Sequence, residues 1–325
     1  MTPFRSKLLI LNPKITLMNR REFFKRSIIT SAASGVALAG SNFKKIVAAI
    51  SPQEKGPYDL VAVKGGEPVQ MFDKAIESMG GMKNFVKKGQ TVVVKPNIGW
   101  DALPERSANT NPQLIKRIIE QCFSAGAKQV YVFDNTCDEW LKCYEKSGIQ
   151  YAVKEAGGKM VPGNSEGNYH EVEIKQGKKL KKAKVHELIL SSDVFLNVPV
   201  LKSHGSTQVT VSMKNNMGIV WDRRYWHSND LDQCIADFAA YRKPDLNIVD
   251  AYRVLTKRGP KGVSDQDVVL MKSLIISRDI VAADAASAKL FGLEPEHIRH
   301  IKLADEAKIG TMDLTKLNIN RIKLS

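Results

Sequence analysis

The alternation of apolar and polar positions divides most of the chain into short β-branched runs separated by amphipathic helical stretches. Strand-like runs occur at Leu60 to Lys64, Thr91 to Val94, Gln129 to Phe133, Val194 to Val200, Gln208 to Ser212, Leu246 to Val249, Lys272 to Ser277 and Lys316 to Ile322. Helical patterns occupy Met71 to Val86, ending near Gly80-Gly81, and Pro112 to Ala125, with Asn111 as cap and Gly126 beyond the end. Further helices are expected over Glu139 to Glu155, Val185 to Ser191, Leu231 to Tyr241, Ile280 to Phe291 and Pro295 to Lys308. Met160 to Lys184 carries turns at Pro162-Gly163 and Gln176-Gly177, which predicts a small antiparallel hairpin from Glu171-Val172-Glu173-Ile174 to the following lysines. Trp221 to Asn229 reads as a loop rich in Trp, Arg and His. Strands alternating with helices predict an α/β fold, a mostly parallel sheet flanked by helices, forming a single domain over residues 58–325.

In such a sheet, ligands sit beyond the carboxyl ends of the strands. Several of these runs end in polar groups: Lys95 and Asn97, then Asp134 to Thr136, Lys202 and His204, Lys214 to Asn216, and Asp250. One such residue is commonly a cap or turn former. Five clusters on one rim predict a site. Lys95, Lys202 and Lys214 are placed to hold an anionic group, with Asn97, Asn215 and Asn216 orienting it. Gly205 and Gly218 give the backbone room. His204 is the candidate acid/base beside Lys202, since an ordinary imidazole titrates near ~6.5. Asp134 and Asp250 are candidates to hold a divalent cation or to orient His204.

The chain has 325 residues, 43% hydrophobic and 26% charged, within the range of globular proteins. Its net charge is +15, concentrated at the amino terminus and in Lys175 to Lys184. A basic run of this kind predicts a solvated hairpin. The chain shows no aromatic interleaving, zinc-finger spacing or helix-turn-helix pattern, so nucleic acid is not expected as a partner. Cys122, Cys137, Cys143 and Cys234 contain no C-x-x-C pair, so no iron–sulfur cluster is expected, and buried free thiols are the default.

Arg20-Arg21 precedes Phe23-Phe24-Lys25 and a mildly apolar run, Ser27 to Gly40, too short for a membrane span of ~20 residues. Ala37-Leu38-Ala39 and Val47-Ala48-Ala49 have the form of cleavage sites. Residues 1–50 are therefore expected to be a twin-arginine signal peptide and linker. The expected partner is the twin-arginine translocation machinery, the location periplasmic or otherwise exported, and the mature chain free of a stable membrane span. Met18 directly before the motif is an alternative start.

Four segments carry a family resemblance: Val94-Lys95-Pro96-Asn97; the helix after Asn111-Pro112 with its Gly126-Ala127 turn; Asn197-Val198-Pro199-Val200-Leu201-Lys202-Ser203-His204; and Met213-Lys214-Asn215-Asn216-Met217-Gly218. Together, over about Leu60 to Phe291, they resemble the bacterial and archaeal family called domain of unknown function 362. Many of its members carry a four-cysteine run for iron–sulfur clusters, which this chain lacks. The family name implies no reaction. The lysine and histidine segments are also distantly similar to loops of lactate-racemase-like proteins, which hold a nickel-containing nucleotide. Three classes stand open: an exported enzyme or cofactor-dependent protein acting on an anionic small molecule, a non-catalytic periplasmic binding protein, and a redox-associated protein without the iron–sulfur domain of its relatives.

Overall fold

The computed structural model describes residues 58–325. In chain order the strands are β1 (Leu60–Lys64), β2 (Thr91–Pro96), β3 (Gln129–Val132), β4 (Lys159–Met160), β5 (Tyr169–Glu173), β6 (Lys182–His186), β7 (Val194–Val198), β8 (Val200–His204), β9 (Gln208–Thr210), β10 (Leu246–Leu255), β11 (Val268–Ser277) and β12 (Ile319–Lys323). The helices are α1 (Pro68–Ser78), α2 (Pro112–Ser124), α3 (Trp140–Lys146), α4 (Ile149–Glu155), α5 (Glu187–Ser191), α6 (Ser212–Asn215), α7 (Arg224–Ser228), α8 (Leu231–Ala239), α9 (Ile280–Phe291) and α10 (Arg299–Glu306).

The main sheet runs β12-β1-β11-β10-β7-β2-β3-β4, with β8 paired to β10 and β9 to β8. Pairings through β10, β7, β2, β3 and β4 are parallel, whereas β11 is antiparallel to both its neighbours. The β5–β6 pair is the expected small antiparallel hairpin. Its basic run is solvated and ion-paired, Lys182 to Glu171 at 2.7 Å and Lys184 to Glu166.

Strand alternation sets the layers. Val92, Val94, Val130, Val132 and Leu196 face α1 and α2, while Val93 and Phe195 join the opposite core with residues of α8, α9 and α10. The result is an α/β/α sandwich. Helix α2 starts where Asn111 accepts from the Gln113 and Leu114 amides, and it buries Leu114, Ile115, Ile118 and Ile119. Each such side chain contributes about 1.5–3 kcal/mol of burial.

Several boundaries differ from the sequence reading, each for a local reason. The stretch from Met71 to Val86 is α1 followed by one 3₁₀ turn, because Gly80 and Gly81 both take left-handed φ. Glu139 to Glu155 is two helices split by left-handed Gly148, and Glu139 caps the first at the Leu141 and Lys142 amides. The apolar run from Val194 is two strands, because Pro199 donates no ladder bond and the chain changes neighbours there. Strand β10 continues through Asp250 to Leu255, so Asp250 does not end a strand. Arg224–Ser228 is helical rather than loop. Arg20-Arg21 and the expected signal segment lie outside the described residues. No helix among the described residues is long and apolar enough to cross a membrane.

Candidate functional site

A cleft of about 470 Å³ lies beyond the carboxyl ends of β2, β3 and β8. Pro96 and Val198 form the last rung between β2 and β7, and beyond it the two chains part. Lys95, Asn97, Asp134, Lys202, His204, Lys214 and Asn215 all line this cleft.

Lys95 is the hub. Its ammonium donates to Pro96 O at 2.7 Å and Asn215 Oδ1 at 2.8 Å, and pairs with Asp134 Oδ1 at 2.9 Å. Three acceptors use its three hydrogens. Asp134 Oδ2 accepts from the Ile98 amide at 2.7 Å. Burial pushes the Lys95 ammonium down and the Asp134 carboxyl up, outweighing their mutual attraction. Asn215 Oδ1 also accepts from Asn97 Nδ2 at 3.1 Å, and Asn215 Nδ2 donates to Asn197 Oδ1 at 2.8 Å. Lys95 and Asn215 therefore hold the floor of the cleft together, and their polar groups are already occupied.

The ladder continues to Lys202, whose Nζ donates to Asn97 Oδ1 at 3.1 Å and to Ala108 O. It also sits 6.0 Å from the Trp100 ring centre. Burial is the main cause of its depression to about 7. Lys214 is 9% exposed and contacts Met217 Sδ at 3.0 Å, with no carboxylate within 4.0 Å among the described residues. Burial brings it to about 8. Its backbone is fixed from behind, since Asp284 accepts from the Ser212 and Met213 amides at 2.7 and 3.1 Å at the start of α6.

His204 lines the cleft beside Lys202 and Lys214 as a neutral ring. Burial, then Lys214 and Lys202, push its imidazolium down to about 3, far below neutrality. Its Nδ1 accepts from the Ser206 amide at 3.1 Å, which places the proton of the neutral ring on Nε2. The ring is thus a hydrogen-bond donor, and metal ligation through Nε2 would set the Nδ1 proton against the Ser206 amide.

Asp250 is held elsewhere. It accepts from the Asn111 and Tyr252 amides at 2.8 and 3.1 Å and does not line the cleft. The expected pairing of Asp134 with Asp250 around a cation is not formed. Among the described residues, no group of three or more His, Cys, Asp and Glu side chains gathers as a metal site. The donor set therefore does not fit a metal held by protein carboxylates and imidazoles. Asn216, 1% exposed, does not line the cleft.

Residues missed at the sequence level complete the wall: Trp100, Cys137, Thr210, Arg223, Arg224 and His227. Arg223 donates to Asn135 O at 2.9 Å and Thr136 O at 2.7 Å, bracing the loop after β3. Cys137 is exposed, against the expectation of buried thiols that Cys122, Cys143 and Cys234 follow. The Trp, Arg and His content of Trp221 to Asn229 was the available signal for this wall. Gly218 packs on the floor, where an added Cβ would lie 1.8 Å from Asp134 Oδ1. A larger groove of about 740 Å³ beside the hairpin is lined by exposed lysines, two of them ion-paired, and lies away from the strand ends.

Fold and site together define an α/β protein with a cationic cleft at the carboxyl rim of its parallel strands. The chain belongs to the family described as Domain of unknown function (DUF362), whose model matches residues 92–289. The thylakoid-associated protein sll1697 of Synechocystis sp. is 26% identical over 238 residues, 69% of this chain and 70% of that protein. Among solved structures, the lactate racemase apoprotein from Thermoanaerobacterium thermosaccharolyticum aligns at 13% identity and a TM-score of 0.48, over 76% of this chain and 59% of that one.

Proposed function

We propose that the cleft binds an anionic small molecule. One observation carries this reading: Lys95, Lys202, Lys214, Arg223 and Arg224 share the cleft with one carboxylate, Asp134, which is spent on Lys95. Buried cations without counter-charge are costly, and an anion relieves that cost. Lys214 and the Nε2 proton of His204 supply donors only, which suits a ligand rich in acceptor oxygens. Calorimetric titration with sulfate and with dicarboxylates tests it. Saturable binding is expected, with stabilisation of about 2.7 kcal/mol at a hundred times Kd, lost in Lys214→Met. Absence of saturable binding by any of these anions refutes the reading.

Export by the twin-arginine route is part of the same proposal, supported by Arg20-Arg21 before Phe23-Phe24-Lys25 and the weakly apolar run after them. Fractionation of cells carrying Arg20→Lys with Arg21→Lys is expected to find the protein retained in the cytoplasm. Normal export of the double variant overturns it.

A further inference from the structure

We propose that Lys202 is a nucleophilic amine that condenses, as an imine, with the carbonyl carbon of an anionic carbonyl compound held in the cleft. The proposal rests on the anion-binding reading above. Lys202 differs from its neighbours in how its nitrogen is used. Lys95 has three acceptors for three hydrogens, one of them a carboxylate oxygen. Lys202 has two, Asn97 Oδ1 and Ala108 O, both neutral, and no carboxylate within 4.0 Å among the described residues. A neutral amine carries two hydrogens and one lone pair. The two acceptors match the hydrogens, which leaves the lone pair the remaining direction on a side chain that lines the cleft.

The surroundings favour the neutral amine. Lys202 is 1% exposed. Burial depresses its ammonium to about 7; Cys137 and Asp134 oppose the shift, while Lys214 and Lys95 add to it. Lys214, at about 8, remains an ammonium at neutral pH. One wall of the cleft therefore offers a nucleophile and a fixed cation for the ligand's anionic group. Trp100, its ring centre 6.0 Å from Nζ, gives an apolar flank that restricts water.

The step balances without an oxidant or reductant. The Lys202 lone pair attacks the carbonyl carbon, and the C=O π pair moves to oxygen. The oxygen leaves as water with the two amine hydrogens, and a C=N bond replaces C=O. A proton taken up at the imine nitrogen restores a donor to Asn97 Oδ1.

The test incubates the purified full-length protein with pyruvate or glyoxylate and sodium cyanoborohydride, then reads intact mass and maps the peptides. A single saturable adduct on Lys202 is expected, suppressed by sulfate and absent in Lys202→Arg. Its own rate is expected to rise about tenfold from pH 6 to pH 8, as for an amine titrating at about 7, whereas labelling of exposed lysines titrating at ~10.4 rises about a hundredfold. Mapping on the wild type keeps the test decisive if Lys202→Arg does not fold. Adducts confined to exposed lysines, or no adduct while calorimetry shows sulfate or pyruvate binding, overturn the imine and leave the anion site standing. Absence of both adduct and binding overturns both readings.

Discussion

Gly218→Ala isolates the packing on which the cleft floor depends. Gly218 is not in the left-handed region, so alanine meets no backbone penalty there. The whole cost is steric. The new Cβ would lie 1.8 Å from Asp134 Oδ1, 2.6 Å from Lys95 Nζ and 2.7 Å from Lys95 Cε. Neither partner yields cheaply, because Asp134 is tied to the Ile98 amide and Lys95 to Pro96 O and Asn215. Overpacking of this kind costs about 1–3 kcal/mol, and separating a buried ion pair about 3–5 kcal/mol. An intermediate cost of about 3–4 kcal/mol corresponds to a Tm drop of roughly 6–15 °C for a domain of this size. Differential scanning calorimetry reads it directly. Gly205→Ala is the control: nothing lies within 4 Å of its added Cβ, and its φ is not left-handed. A change within about 0.5 kcal/mol is expected there. The cost of Gly218→Ala should also shrink in an Asp134→Ala background, since the obstructing oxygen is gone. Equal Tm values for the Gly205 and Gly218 variants would refute the packing account.

Lys95→Met leaves the Asp134 carboxylate buried without its cation, and a loss of about 3–5 kcal/mol in urea unfolding is expected, largely recovered in Lys95→Met with Asp134→Leu. Sulfate affinity measured by calorimetry is expected to fall about tenfold from pH 7 to pH 9 as Lys214, at about 8, loses its proton; a pH-independent affinity refutes its role as the holding cation. Asp250 is raised by burial to about 6, so between ~3.9 and that value the folded chain keeps a proton that the unfolded chain releases. Its contribution is full below about pH 4 and is lost as pH rises to about 6, and Asp250→Asn should flatten the stability curve across that window.

Much of the fold was legible because period-two apolar runs and capped amphipathic stretches report local geometry. Asn111 before Pro112 is a cap visible in the sequence, and the structure uses it as one. Lys95, Asn97, Asp134, Lys202, Lys214 and Asn215 were legible as rim residues because each follows a β-branched run. Asp250 was not, although Tyr252 and Val254 after it carry the strand onward to Leu255. Asn216 follows Asn215 by one residue in a helical turn, a step of about 100°, and does not line the cleft. Neither the occupied state of Lys95 nor the unpaired state of Lys214 was legible. The first depends on neighbours distant in sequence, Asp134 and Asn215, and the second on the lack, among the described residues, of any carboxylate near Lys214, which meets the sulfur of Met217 one helical turn on.

That division of labour among three lysines gives the cleft its character. Equal burial would give three equivalent ammonium groups if their partners were equal. Instead, Asp134 and two neutral oxygens saturate Lys95, and the amide ladder of Asn97 and Asn215 ties it to Lys202. Lys202 receives two neutral acceptors, and Lys214 receives a thioether. In the proposals above, the ordering by hydrogen-bond supply is also an ordering by chemical use: one lysine holds the floor, one tends toward the free amine, and one keeps its charge. The prolines at Pro96 and Pro199 set where this happens, because β2 and the β7–β8 chain stop pairing at the same level. A ligand arriving at that opening meets a rigid, saturated base and unsatisfied donors above it. In the anion-binding reading proposed above, a ligand there completes hydrogen bonding that the fold leaves open, without first breaking what holds the sheet together.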